Sequence, residues 1–171
     1  TTYLGYFVLR MLPPVALIVP YAIFLQKLKL IDTYPGLILV YVAMNLPVGI
    51  WLLKGFFDTT PKELEESAWI EGATVSQTFR KVVLPINTNG IAVTSVFIFI
   101  YCYIEYIYAS ILTRTHAVTV PAYIAGFVTP WEIKYQEMLA AALISMIPMA
   151  IIFIFAQRYI VKGIVAGAIK Q

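Results

Sequence analysis

The sequence predicts an all-α fold, a polytopic bundle of transmembrane helices with one polar excursion. Of its 171 residues, 61% are hydrophobic and only 12% are charged, whereas globular domains average about 25% charged residues. Four apolar stretches are each long enough to cross a bilayer, which takes about 20 residues. The one long polar run, residues 58–85, separates the second stretch from the third. We call this run the polar hinge.

The four predicted spans are residues 6–25, 36–57, 89–112 and 137–156. Pro13, Pro14 and Pro20 interrupt the first span, and each removes a backbone donor and favours a kink. The freed carbonyls need partners, so this helix is expected to pack within the bundle or line a cavity. The fourth span carries small residues at 140–142 and at Ser145, which permit close helix packing.

The start of the polar hinge predicts a short helix. Thr60 can cap it, Pro61 suits the first helical position, and Glu63 can complete a capping box. Gly72 suits the end of this helix, because glycine takes a positive φ without a Cβ penalty. The spacing therefore predicts a helix that closes on a sharp glycine bend.

A second short helix is predicted directly after the bend. Thr74 and Gln77 have the spacing of another capping box, and Pro85 is expected to end the helix. Its apolar face would be formed by Val75, Phe79, Val82 and Val83. The hinge is thus predicted to be two short helices lying outside the bilayer.

The hinge carries a motif that resembles the EAA loop of ABC-importer permeases. Glu66-Ser67-Ala68, three residues, Gly72, nine residues and Val82-x-Leu84-Pro85 match Glu-Ala-Ala, three residues, Gly, nine residues and Ile-x-Leu-Pro. Two substitutions are conservative and the spacing is intact. Residues 45–47, 51–57, 61–66 and 157–170 are similar to the sugar-importing, maltose-transporter branch. The alternative is an amphipathic loop that has no partner.

The resemblance implies a permease domain over residues 1–171, with a coupling loop at 58–85 and a cytoplasmic tail at 157–171. The family has six membrane helices, so the first two are expected to precede Thr1, which opens into an apolar stretch without a Met. The residues expected to couple to an ATPase are Glu66, Ser67, Ala68, Gly72, Val82, Leu84 and Pro85. The implied partners are an ABC ATPase dimer, a second permease chain, an extracytoplasmic solute-binding protein and membrane lipid.

Asn45 and Glu105 lie well within predicted spans, and each has two interpretations. Asn45 needs a hydrogen-bond partner, so it either bridges two helices or contacts a polar substrate. Glu105 is expected to face the bundle interior or a wet cavity, as a substrate contact or a structural acceptor. Tyr101 and Tyr108 suit sugar rings, with flat faces and a hydroxyl, but they also fit an interfacial aromatic belt. These four residues are the candidate substrate pathway.

Other chemistry is not expected of this chain. It contains no GxxxxGK[ST] loop and no catalytic-triad or zinc-ligand spacing, so it is predicted not to be an enzyme. ATP and Mg would belong to the separate ATPase, and this chain would need no cofactor or metal. A net charge of +3 without a basic cluster argues against nucleic acid as a partner. Cys102 is predicted to be a buried small hydrophobe.

The distribution of lysine and arginine predicts the orientation in a bacterial or archaeal inner membrane. Eight of these residues fall on the side of the hinge and the C-terminus, and four on the other side. The positive-inside rule therefore makes the hinge and the C-terminus cytoplasmic.

The predicted function is import of a sugar or oligosaccharide by alternating access. Alternatives are a permease for a polyol, a glycerol phosphate or another small solute, and, in a different class, a membrane anchor that transports nothing. Copurification of an ATPase separates a permease from an anchor.

Overall fold

The fold is all-α, as predicted. The computed structural model describes the backbone of residues 14–168 and the side chains of residues 15–157. Within that part, regular secondary structure is helical, and extended pairing is limited to a bridge between Val128 and Ile133. The helices are α1 Pro14–Lys27, α2 Tyr34–Phe57, α3 Lys62–Ile70, α4 Val75–Thr78, a π-helical turn Phe79–Val83, α5 Leu84–Ile86, α6 Thr88–Ile104, α7 Ile107–Leu112, α8 Val120–Ala125 and α9 Tyr135–Ala168.

Two helices of the described chain are long and apolar enough to cross a membrane. They are α2 and the Tyr135–Gln157 part of α9, which correspond to the second and fourth predicted spans. The pair Val75–Ile86 and Thr88–Ile104 is bent by 71° and would add a third span if it counted as one. The first predicted span lies partly outside the described residues. Helix α9 runs on to Ala168, so the described part of the predicted tail continues this helix.

The third predicted span, residues 89–112, is not one helix. Helix α6 ends at Ile104, and α7 begins at Ile107 after a break at Glu105 and Tyr106. The break is possible inside an apolar run because the Glu105 carboxylate accepts the first N–H groups of α7. We call residues 105–106 the Glu105 break.

The chain forms two compact units. The first combines the described residues up to Pro47 with Phe99–Ala150, and the second combines Val48–Ile98 with the described residues from Ile151 onward. In the first unit, α1, α2 and α7 pack around a small core whose most buried members are Ile18, Leu25, Val40, Tyr108 and Leu112. The second unit contains the polar hinge.

Candidate functional site: the polar hinge and the Glu105 cluster

Helix α3 begins differently from the prediction. It starts at Lys62, with Pro61 as its N-cap in an extended conformation, and no side chain caps it. The predicted Thr60 cap and Glu63 capping box are therefore wrong. The reason is tertiary, because the Thr60 hydroxyl oxygen accepts a hydrogen bond from Asn87 Nδ2 at 2.7 Å.

The glycine bend is present at the predicted position. Gly72 has a φ of 86°, its N–H donates to Trp69 O at 3.0 Å, and the N–H of Ala73 donates to Ala68 O at 2.9 Å. These bonds satisfy the last carbonyls of α3, as in a glycine-terminated helix. A β-carbon at Gly72 would meet nothing within 4 Å, so the site requires glycine for its backbone conformation.

The second hinge helix opens with the predicted capping box. The Gln77 N–H donates to Thr74 Oγ1 at 3.3 Å, and the Thr74 N–H donates to Gln77 Oε1 at 2.8 Å. The same helical segment then widens into the π-helical turn, where the N–H of Leu84 donates to Phe79 O, five residues earlier.

The predicted end of this helix at Pro85 is wrong. Helix α5 continues to Ile86, and the break comes at Asn87, whose φ is −89° and ψ is 9°. A proline ring in an α-helix normally clashes with the carbonyl four residues earlier. The π-helical turn just before Pro85 changes the hydrogen-bond register, which lets the ring be accommodated.

The motif residues of the hinge divide by exposure. Ala68 is buried, and Val82 and Leu84 are half-buried, so these residues contribute to the interior of the hinge. The exposed members are Glu66, Ser67, Gly72 and Pro85. The exposed face of the motif therefore lies along α3 and the glycine bend, with the Glu66 carboxylate on its surface.

The tip of the hinge is unusually apolar for a segment outside the predicted spans. Trp69, Ile70 and Val75 lie within three residues of Gly72 and are 49%, 88% and 75% exposed. Apolar side chains grouped on a surface commonly mark an interaction site. The hinge tip, as we call these three residues with Gly72, has the chemistry of a docking surface.

The Glu105 break is organised by one carboxylate. Glu105 Oε1 accepts the N–H of Tyr108 at 2.8 Å, and Oε2 accepts the N–H of Ala109 at 3.1 Å and the hydroxyl of Tyr41 at 2.9 Å. The side chain thus satisfies two orphan donors of α7 and ties this helix to α2. Both carboxylate oxygens are occupied by protein donors, which favours the structural interpretation of Glu105.

Asn45 also joins helices. Its Nδ2 donates to Tyr41 O at 2.9 Å and to Cys102 Sγ at 3.4 Å, so it bridges α2 and α6. Cys102 is only half-buried, and its sulfur acts as an acceptor. Tyr41 lies one helical turn before Asn45. It was not among the predicted site residues, although the i, i+4 spacing places both on one face.

The two candidate tyrosines lie in different surroundings. Tyr108 is 2% exposed, and its ring packs against that of Tyr21 in an edge-to-face arrangement with centroids 5.9 Å apart. Tyr101 is 42% exposed. Of the four candidate pathway residues, Asn45, Glu105 and the backbone N–H of Tyr108 therefore belong to one hydrogen-bonded cluster, the Tyr108 ring packs in the core, and Tyr101 lies at the surface.

Two adjoining apolar grooves lie beneath α8 in the first unit. Each has a volume of about 450 Å³, and they share Tyr103, Val120, Ile124 and Ser145 in their walls. The Tyr103 hydroxyl is already engaged, since it donates to Ser145 O at 2.6 Å. The grooves therefore offer few polar groups to a solute rich in hydroxyls.

A carboxylate in the turn between α1 and α2 anchors a distant loop of the same unit. Asp32 accepts the backbone N–H groups of residues 114–117 at 2.8–3.3 Å and the Thr115 hydroxyl at 2.9 Å. Its own N–H donates to Leu112 O at 3.0 Å. The backbone N–H of Arg114, more than any other group, holds the pKa of Asp32 well below its ordinary value. No local sequence pattern indicates this contact, because residues 114–117 are more than 80 positions away from Asp32.

Asp32→Asn should loosen the loop at residues 114–117. In the wild-type chain these backbone N–H groups share the two oxygens of a carboxylate, whereas asparagine offers them a single neutral oxygen. The backbone amides of residues 114–117 should therefore exchange with solvent several-fold faster in hydrogen-exchange mass spectrometry. Because folding lowers the pKa of Asp32, its contribution to the stability of the folded state is complete above the ordinary pKa of 3.8. That contribution is lost only in more acidic solution. Glu132→Gln, an exposed charge loss elsewhere in the unit, is the control. Equal protection in both variants would contradict the anchoring role.

Apolar helices long enough to cross a membrane and a bent polar hinge with the EAA-type motif are typical of the membrane component of a transport system. A family model described as the binding-protein-dependent transport system inner membrane component matches residues 2–166. The chain belongs to this family.

Curated relatives extend the similarity over almost the whole chain. The trehalose/maltose transport system permease protein MalG of Thermococcus litoralis is 37% identical over 95% of this chain. The trehalose transport system permease protein SugB of Mycobacterium tuberculosis is 35% identical over 95%, and the maltose/maltodextrin transport system permease protein MalG of Escherichia coli is 33% identical over 97%. The chain spans 59%, 60% and 58% of the lengths of these relatives.

Proposed function

We propose that this chain is part of the permease subunit of an ATP-driven, binding-protein-dependent importer. The observation that carries the proposal is the polar hinge, two short helices closed on Gly72 with an exposed apolar tip. A hinge with only water around it would leave Ile70 and Val75 exposed at a cost that grows with apolar area. An ATPase subunit that covers the tip removes this cost.

The partner surface follows from the chemistry of the hinge. It needs an apolar cleft for Trp69, Ile70 and Val75, and a basic group within reach of the Glu66 carboxylate. ATP and Mg bind in that separate ATPase dimer, and the hinge lies on the cytoplasmic side. Because the base of the hinge is buried, a force from the ATPase moves the two hinge helices together as a rigid body.

Movement of the hinge is transmitted to the membrane helices that are attached to its two ends. Helix α2 ends just before the hinge, and α6 begins just after it. When two ATPase subunits close, two such hinges are drawn together, and the attached helices switch the pathway between inward and outward opening. A second permease chain supplies the other hinge, and an extracytoplasmic binding protein delivers the solute.

The solute is a sugar or an oligosaccharide. Support comes from the relatives, which are named for trehalose, maltose and maltodextrin transport. Trehalose and maltose are therefore the first probes to use.

Glu66→Lys should reduce ATPase capture by the full-length permease by about tenfold or more, because it places like charges at the contact. The measurement is the ratio of ATPase to permease after affinity purification of the complex from membranes. Glu63→Lys is the matched control, with the same charge change on an exposed residue one turn earlier in α3, and it should retain the ATPase. A wild-type chain that captures no ATPase would instead indicate a membrane anchor.

A further inference from the structure

Thr60, near the start of the polar hinge, and Asn87, two residues after its end, form a buried pair. Thr60 is 9% exposed and Asn87 is 6% exposed, and they are 27 residues apart in the sequence. Asn87 Nδ2 donates to Thr60 Oγ1 at 2.7 Å. This buried hydrogen bond closes the base of the hinge. It joins the segment that follows α2 to the segment that precedes α6.

Both partners are fixed to the helices that the hinge connects. The Thr60 N–H donates to Phe57 O at 3.0 Å, which continues the last turn of α2. Asn87 Nδ2 also donates to Val83 O at 2.9 Å, and Asn87 O accepts the N–H of Ile91 in α6 at 2.9 Å. The pair therefore joins the end of α2, the π-helical turn and the first turn of α6.

A close helix crossing lies beside this pair. Gly90 of α6 is buried, and a β-carbon at this position would overlap the Cβ and Cγ of Phe56 in α2. The rings of Phe57 and Phe79 add a contact with centroids 6.4 Å apart. The two membrane helices therefore approach closely where the hinge begins and ends.

We infer that Thr60 and Asn87 form a clasp that makes the polar hinge a rigid lever on α2 and α6 together. The chain has two joints here, at the extended Pro61 and at Asn87, where the helical path breaks. Without the clasp, the hinge can rotate at either joint while the helices stay in place. With it, a displacement of the hinge tip moves both helix ends. The inference rests on the proposed coupling function and assigns Thr60 and Asn87 as positioning residues.

The first test measures rigidity and needs no solute. Spin labels are placed at Ile50 of α2 and Ser76 of the hinge, both exposed members of the second unit, in a Cys102→Ser chain assembled with its ATPase. The clasp predicts one narrow distance distribution, with and without ATP. Thr60→Val and Asn87→Leu, which keep side-chain size but remove the bond, should each broaden the distribution or make it change with ATP.

The second test measures transmission in the reconstituted importer. Each clasp variant should raise the ATP hydrolysed per molecule of trehalose or maltose taken up by about fivefold, the factor that one hydrogen bond commonly contributes to an equilibrium. The double variant should be no worse than either single variant, because all three lose the same bond. A role in folding alone would lower the amount of assembled complex and leave this ratio unchanged.

Thr59→Val is the matched control for both tests. It is the same substitution one residue earlier, at an exposed threonine whose hydroxyl donates only locally, to Phe56 O at 2.7 Å. It should keep the narrow distance and the wild-type ratio. Narrow distances and an unchanged ratio in both clasp variants, with the ATPase bound, would overturn the clasp and leave the proposed function standing. An unmodified chain that binds no ATPase would overturn the proposed function itself.

Discussion

Gly72→Pro should abolish solute uptake by the reconstituted importer while the chain still inserts into the membrane. Gly72 has a φ of 86°, whereas proline is fixed near −65°, so the bend between α3 and α4 cannot form. Proline also removes the N–H that donates to Trp69 O at 3.0 Å. The docked hinge conformation should therefore become rare, because the proline ring cannot adopt the positive φ that the bend requires.

A substitution series at Gly72 separates backbone conformation from steric effects. A β-carbon at this position meets nothing within 4 Å, so asparagine, which tolerates positive φ better than most residues, should retain more uptake than alanine. Solute uptake should be highest with glycine at this position and should fall through asparagine and alanine to proline. The measurements are uptake into vesicles, ATP hydrolysis and the amount of inserted chain. Normal uptake by the proline variant would remove the bend from the coupling mechanism.

The hinge was the most predictable part of the molecule because its signals are local. The Thr74–Gln77 capping box and the positive φ of Gly72 depend on residues only a few positions away. The second and fourth spans were predictable for a similar reason, since length and hydropathy decide them. These features needed no knowledge of which distant segments meet.

The errors within the hinge came from competition between local and tertiary bonds. An N-cap contributes about 1 kcal/mol, whereas a buried amide left without a partner costs about 1–3 kcal/mol. Asn87 Nδ2 already donates one N–H to Val83 O, and the Thr60 oxygen accepts the other. Satisfying this second buried N–H therefore outweighs capping α3. At Pro85, the rule that proline ends a helix failed because the preceding π-helical turn changes the hydrogen-bond register.

The Glu105 break could not be predicted from the run of residues around it. The stretch from 89 to 112 is apolar enough to suggest one uninterrupted span, and its break depends on a carboxylate that turns back onto α7. The third donor to this carboxylate, Tyr41, is 64 residues away in the sequence. Composition predicted that Glu105 needs partners, but only the fold identifies Tyr41, Tyr108 and Ala109.

Glu105→Ala should destabilise the first unit strongly. It leaves the N–H groups of Tyr108 and Ala109 and the hydroxyl of Tyr41 without their acceptor, and each unsatisfied donor costs about 1–3 kcal/mol when it has no replacement. Glu105→Gln should cost less, because its amide keeps one acceptor oxygen. Tyr41→Phe should cost least, because the carboxylate retains both backbone donors. Thermal unfolding of the purified complex in detergent measures this order.

Solute kinetics distinguish the structural role of Glu105 from a place in the pathway. Glu105→Gln should keep the wild-type KM for trehalose or maltose, because both carboxylate oxygens already accept protein donors. Glu132→Gln, at an exposed acidic residue, is the control for loss of one charge. Broken helices in transporters often form solute sites, so a solute contact at the Glu105 break is the alternative that this measurement tests. A raised KM with unchanged thermal stability would place the Glu105 carboxylate in contact with the solute and overturn its role as the cap of α7.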